Sequence, residues 1–368
     1  MPCTRATREP DVSPTHRTYR SLARAAGSAV LAAIMLGLVL PRAAGVGWQA
    51  ALDAMSGLTL VQLTGLGLIW MAGIWAHSFV LRAGLPGLSS RNAVVLNLSG
   101  SAVSNLVPCG GALGIGLNYA MCSSWGVTST EFTLYTLVTN LWNVLTKLSL
   151  PTVALLAMMA VGNVTAPMVV ATSLGALALL VGLAGGACAA VANDRAALRV
   201  GAVADRVAGV TCRLVRRGRP RGIQGFLCDV RHDGRTVMRR GWRKLTLGML
   251  CYSALQALLL WAALSMLGST LGPAQILAGY AAERVLSIAV LTPGGSGLVE
   301  VGMTAVLVGL GGDPVITVAG VLVYRAFVFG LEIPAGAAAL AWWLWSRMRL
   351  GPPPHGFPSP RVVRASAG

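Results

Sequence analysis

Six ionisable residues stand in apolar surroundings: Lys147, Glu283, Arg284, Glu300, Arg325 and Glu332. Their formal charges sum to zero. In lipid each such group costs about 2.5 to 3.5 kcal/mol on an insertion scale, and the six together on the order of 15 to 20 kcal/mol, so they must face one another or water inside a bundle. Buried cations recognise phosphate, arginine through a planar fork and lysine as a point charge, while carboxylates hold those cations or receive a cationic group. No nucleophile, metal-ligand cluster or Walker A loop accompanies the glutamates. The chemistry on offer is recognition of a charged group rather than bond making, so neither enzymatic activity nor a cofactor is expected. The plainer reading of the same residues is a set of ion pairs that fix helix register.

Charge and helix breakers share segments. Glu283 and Arg284 run into Pro293, Gly294, Gly295, Ser296 and Gly297 and then Glu300, and an earlier apolar run is broken at Pro108, Cys109, Gly110 and Gly111. A break leaves backbone N–H groups without intrahelical partners, and the half-helix that follows presents partial positive charge, which attracts phosphate. Glycine belongs where backbone must closely approach a ligand or a neighbouring helix. Asn140, Asn143 and Lys147 make a polar stripe in the first half, and Arg325 and Glu332, seven apart, share a face in the second. Each stripe precedes a proline, Pro151 or Pro334. Adjacent Glu283 and Arg284 point in different directions around a helix and are expected to find partners elsewhere rather than each other.

The elements that position these residues are membrane helices. Charged residues make up 11% of the chain against about 25% in soluble domains, and mean hydropathy is +0.69. Runs at 25–40, 60–81, 131–162, 167–192, 245–267 and 314–346 are long enough to cross or nearly cross a bilayer core. Two more, 93–122 and 274–311, are interrupted near the middle by the Pro-Gly clusters. The expected fold is an all-α polytopic membrane protein with about six full spans and two broken re-entrant hairpins. Pro108 precedes Pro151 by 43 positions and Pro293 precedes Pro334 by 41, so the two halves read as an inverted repeat, about 93–162 and 274–346.

Net charge is +17, yet 14 of the 29 Lys and Arg residues fall in 193–244, which argues for membrane orientation rather than nucleic acid. With both hairpins returning to the side they entered, 25 of the 29 lie on one side, the cytoplasmic one by the positive-inside rule. Residues 1–24 form a basic cytoplasmic leader before an uncleaved signal anchor, 25–349 one transmembrane domain, and 350–368 a disordered tail. Within the basic loop, 195–217 reads either as an amphipathic helix on an anionic leaflet or as a solvated loop, and 216–244 as irregular. The seven cysteines show no CxxC pair, so neither a disulfide framework nor a zinc site is indicated.

The run Ala282-Glu283-Arg284 into Leu291-Thr292-Pro293-Gly294-Gly295-Ser296-Gly297-Leu298-Val299-Glu300, followed by Tyr324-Arg325 and Pro334-Ala335-Gly336, resembles the flippase-like transmembrane domain of bacterial lysylphosphatidylglycerol synthases and their stand-alone relatives. The resemblance covers roughly 90–345. It implies a bacterial plasma-membrane protein that moves lipids between leaflets, with Glu283, Arg284, Pro293, Gly294, Gly295, Gly297, Glu300 and Arg325 as pathway residues. Membrane lipids with a phospholipid or polyprenyl-phosphate head group are the expected partners. A membrane glycosyl- or aminoacyltransferase is a further possible partner, under the competing reading of a non-transporting subunit that presents lipid-linked substrate. The chain ends soon after its last span, so lysyl transfer is not expected of it. Where relatives often carry a Glu-Arg pair and an Asp, this sequence has Thr139-Asn140-Leu141-Trp142-Asn143, which suggests a different head group or a degraded first repeat.

Overall fold

The computed structural model describes residues 30–106, 110–162, 223–288 and 295–350, with Gly27 and Gly182, and for 223–240 and Leu350 the backbone alone. Every regular element among them is helical. Residues 1–24, most of the 167–192 run, the 195–217 stripes, Pro108, Pro293, Gly294 and the tail from Gly351 lie outside the described residues. We number the helices α1 (Val30–Ala44), α2 (Trp48–Ser56), α3 (Leu60–Gly84), α4 (Ser90–Leu106), α5 (Gly110–Ser124), α6 (Ser129–Ala160), α7 (Ile223–Met266), α8 (Pro273–Leu286), α9 (Leu298–Gly309) and α10 (Pro314–Arg349).

Four of the expected spans are long apolar helices: α3, α6, the Gly241–Met266 part of α7, and α10. The 314–346 run is thus one helix. The first span is instead a pair, α1 and α2, bent by 90°. Helix α7 corrects the reading of 216–244 as irregular over 223–244, the part that lies within the described residues. With no proline between Pro220 and Met266, helix seeded in the apolar span propagates backward through Arg-rich sequence to Ile223.

The prolines mark where helices deform. Met35–Val39 in α1 and Ala326–Leu331 in α10 are π-helical, and each precedes a proline, Pro41 or Pro334, that cannot bond the carbonyl four residues back. In α1 that carbonyl belongs to Gly37, and the Trp48 indole N–H donates to it at 3.3 Å.

A shift of 185 positions relates the two halves: Gly126 maps to Gly311 and Thr128 to Asp313. Both glycines take positive φ, 87° and 97°, a turn that side-chain-bearing residues resist. Both following residues cap a helix, Thr128 accepting from the Glu131 N–H and Asp313 from the Ile316 N–H. Thr128→Ala and Asp313→Ala should each cost about 1 kcal/mol, read as a lower unfolding temperature of the detergent-purified protein.

Packing follows the same symmetry. Exchanging α3 with α7, α4 with α8, α5 with α9 and α6 with α10 leaves the pattern of touching helices unchanged: α4 packs on α10 as α8 packs on α6, and α3 pairs with α7. Gly73 faces Leu255, Gly248 faces Val80 and Gly241 faces the Ala83 carbonyl, so α3 and α7 run antiparallel. Two equivalent helices lying side by side in opposite directions require a two-fold axis across them, which makes the repeat inverted. The α4–α5 hairpin opens at the end of α3 that carries Arg82, where Leu81, Leu88, Val127 and Phe132 share one cluster. The α8–α9 hairpin follows the opposite end of α7.

The two ends differ in charge. Arg82, Arg91, Arg243, Lys244, Arg347 and Arg349 gather at the α4–α5 end, and five of them lie over aromatic rings: Arg82 over Phe79, Arg91 over Trp342 at 3.9 Å, Arg243 over Trp242, Arg347 over Trp343 and Arg349 over Trp345. This is the amphipathic belt of a membrane interface. At the other end Leu40, Val46 and Ala51 seal α1 and α2 against Val318. The main core, including Tyr280 and Tyr324, lies between α3, α7, α8, α9 and α10.

Candidate functional site

Helix α8 brings Glu283 and Arg284 about 15 Å in from the end at Pro273, and α10 brings Arg325 a similar depth from Pro314, at 1.5 Å rise per residue. Glu300 enters on the first turn of α9. Four charges therefore meet halfway across the bundle. Arg325 Nε donates to Glu300 Oε1 at 2.7 Å, its Nη1 lies 4.0 Å from Glu283 Oε1, and Arg284 Nε lies 2.7 Å from Glu283 Oε2. The order is minus, plus, minus, plus, and Glu283, Glu300 and Arg325 are only 3%, 3% and 7% exposed.

Each charge is secured twice. Glu300 Oε2 accepts the Gly297 N–H at 2.6 Å, closing the first turn of α9 and meeting the positive end of that helix. Gly297 has φ +88°, and a Cβ there would strike Met35 of α1, so glycine serves both the turn and the close contact. The Tyr324 hydroxyl donates to Glu283 Oε2 at 3.4 Å. The Arg284 guanidinium lies 4.9 Å from the Tyr280 ring centre and 5.9 Å from that of Tyr252.

Two expectations are corrected. Glu283 and Arg284 do pair with each other, because the long arginine side chain folds back on its neighbour even though the two Cβ atoms diverge. The contact is ionic rather than a hydrogen bond: Arg284 Nε sits at 2.7 Å without the alignment a hydrogen bond needs. Arg325 and Glu332 do not act on one face either. The π turn between them winds fewer degrees per residue, so Arg325 turns to the α8–α9 hairpin while Glu332 turns to the α4–α5 hairpin, accepting from Asn105 Nδ2 at 3.5 Å.

Lys147 and Glu332 stand apart from the quartet. Both are half-buried, and the 185-position shift carries one onto the other. The Lys147 ammonium donates to the Ser287 hydroxyl at 3.1 Å, which donates in turn to the Arg284 carbonyl at 2.8 Å. Pro151 also deprives the Lys147 carbonyl of its helical partner. Among the described residues each of these charges thus has a neutral partner at hydrogen-bond range, in contrast to the ion-paired quartet. The same shift maps Glu283, Arg284, Glu300 and Arg325 onto Leu98, Ser99, Ile115 and Asn140, so backbone symmetry coexists with one-sided charge.

The remaining candidates divide. Asn140 is exposed and donates to the Thr136 carbonyl of its own helix, and Asn143 is half-buried. Gly110 is a packing position, since a Cβ there would fall on the backbone of Ser104 and Val103, whereas Gly111 faces open space. Gly295, with φ +73°, is buried at the head of α9.

Over residues 23–336 the sequence matches the family described as lysylphosphatidylglycerol synthase TM region. The chain belongs to that family. Membership in the lysylphosphatidylglycerol synthase TM region family and the long apolar helices together make it a multi-pass membrane protein, associated with lipid modification or transport. The match begins well before the 90–345 that the motifs suggested and so includes α1 to α3. Comparison with curated proteins gives no match.

Sequence reasoning missed a second polar group beside the quartet. His77 Nδ1 lies 2.9 Å from Asn97 Oδ1, the His77 and Tyr252 rings are 4.8 Å apart, and Gln256 Nε2 donates to the Tyr252 hydroxyl at 3.0 Å. A histidine, asparagine and glutamine within apolar spans were the available signal, because each is costly in lipid.

Proposed function

We propose that the chain is a flippase-like transporter, without catalytic chemistry, that moves an anionic head group between leaflets of the bacterial plasma membrane while its tails stay in lipid. One observation carries this reading. At mid-bundle depth, beside a self-neutralised quartet, Lys147 and its repeat mate Glu332 are half-buried, and among the described residues their hydrogen-bond partners are neutral. Charge held in this way is available to a phosphate, or to a phosphate and a cation together. The inverted pair of hairpins supports the reading, since each opens toward a different leaflet. By the positive-inside rule the end bearing Arg82, Arg91, Arg243, Lys244, Arg347 and Arg349 is cytoplasmic.

Purified protein in vesicles should move fluorescent phospholipid or polyprenyl-phosphate analogues between leaflets. Lys147→Ala should slow that movement about tenfold or more, roughly 1.4 kcal/mol of barrier, at unchanged unfolding temperature. Equal rates in loaded and empty vesicles across a lipid panel remove the proposal. Mass spectrometry of co-purified lipid names the head group. Retained lipid without movement, together with a co-purifying glycosyl- or aminoacyltransferase, would identify a subunit that presents lipid-linked substrate.

A further inference from the structure

We propose that His77 is a proton-binding site that couples the two hairpins, so that lipid movement responds to a transmembrane pH gradient. This rests on the transport reading of the neighbouring charges and adds a second transported species, the proton. The argument starts from position. Asn97 belongs to the α4–α5 hairpin and Arg284 to the α8–α9 hairpin. Between them stand His77 on α3 and Tyr252 on α7, the antiparallel pair at the two-fold axis. The contacts run without a gap: Asn97 Oδ1 to His77 Nδ1 at 2.9 Å, His77 ring to Tyr252 ring at 4.8 Å, Tyr252 ring to Arg284 guanidinium at 5.9 Å.

Chemistry then selects the nitrogen. An amide oxygen only accepts, so Nδ1 carries the hydrogen and Nε2 holds the lone pair. No described residue hydrogen-bonds Nε2, and the side chain is half-buried. A proton binding at Nε2 converts the ring to imidazolium while Nδ1–H keeps its bond to Asn97. Histidine is the side chain whose ordinary titration falls in the physiological range, and in membranes such residues serve proton relays.

The groups facing His77 define what that charge does. From α7 comes the Tyr252 ring, from α4 the uncharged Asn97, and from α8 the field of Arg284. Helix α6 meets α3 at Gly84, where it brings Tyr135, and α10 meets it at Gly67 through Phe327, about two to three turns from His77. Arg82 lies on α3 itself, beyond one turn. An imidazolium therefore competes with Arg284 for the face of Tyr252 and repels it. Loading the proton weakens Arg284's seat on α7 and favours a different placement of the α8–α9 hairpin relative to α4–α5, which is how a titration becomes a conformational bias.

The test uses vesicles in which a fluorescent phospholipid and a pH gradient are both present. For the wild type, imposing the gradient should change the rate of lipid movement about fivefold or more. His77→Asn should lose that response while keeping its rate at equal pH, and His77→Gln provides a second variant should the first not fold. Independently, the 15N imidazole resonance that disappears in either variant should shift on acidification of the full-length wild-type protein. A gradient-insensitive wild type, a response that survives in a folded variant, or a resonance that does not titrate overturns the proposal. If no lipid moves under any condition, the transport reading fails, and the titration alone still decides whether His77 binds a proton.

Discussion

Arg325→Ala should lose most of its folded protein, with a cost of about 3 to 5 kcal/mol, and it belongs among stability variants rather than transport probes. Its guanidinium is the cation between two carboxylates that are each 3% exposed. Without it Glu300 keeps, among the described residues, only the Gly297 N–H, and Glu283 is left with the Tyr324 hydroxyl and the poorly aligned contact to Arg284. A buried charge stripped of its partner costs more than the pair ever contributed, because the desolvation of the survivor is no longer offset. The check is a double-mutant cycle in detergent: Glu300→Gln placed on Arg325→Ala should recover part of the loss, a coupling of about 0.5 to 3 kcal/mol. Arg325→Lys keeps a charge but not the planar fork that engages Glu300, and should fall between. Wild-type stability of Arg325→Ala would mean that the quartet is not closed in the membrane. The contrast with Lys147→Ala separates two roles for intramembrane charge. The quartet holds the α8–α9 hairpin to α10, whereas the proposed function gives Lys147 and Glu332 to the ligand.

Much of this was legible before any coordinates. Pro-Gly clusters inside apolar runs announced both hairpins, because neither residue continues a helix and lipid forbids unpaired backbone elsewhere. The asymmetry of Lys and Arg announced which chain segments share an end, and α3, α4, α7 and α10 do gather their basic residues at one. The six charges were legible as a set, since lipid makes each expensive. Their pairing was not. Which neighbour Arg284 reaches depends on the rotamers of a long side chain, and sequence spacing fixes only its Cβ. The π turn of Ala326–Leu331 was equally hidden: Pro334 says that a carbonyl upstream loses its partner, but whether the helix kinks or widens depends on tertiary packing, here of the turn against α3. His77 escaped because a lone histidine has no spacing to read. Its meaning comes from Asn97 and Tyr252, 20 and 175 positions away, brought to it by the packing of α3 against α4 and against α7.

The glycines of the first break offer the other large effect. Gly110→Ala should disrupt the α4–α5 hairpin, because its methyl group would land on the backbone carbonyls of Val103 and Ser104, with the Val103 oxygen at 2.8 Å. A side chain in that position could rotate aside, but a carbonyl held in α4 cannot, so the cost should exceed the roughly 1 to 3 kcal/mol of ordinary overpacking. Gly114 repeats the arrangement one turn on, where a Cβ would lie 2.8 Å from the Gly100 carbonyl oxygen, so the two half-helices approach closely along this seam. Gly111 is the internal control. Nothing lies within 4 Å of a Cβ built there, and in a helix alanine is favoured over glycine by about 0.5 to 1 kcal/mol. Gly111→Ala should therefore unfold no sooner than the wild type, while Gly110→Ala unfolds well before it. Bulk at Gly111 then tests the path itself: Gly111→Trp should keep its unfolding temperature yet slow lipid movement about tenfold. Undiminished movement in a stable Gly111→Trp would place the route of the head group away from the first hairpin, on the side of Lys147 and Ser287.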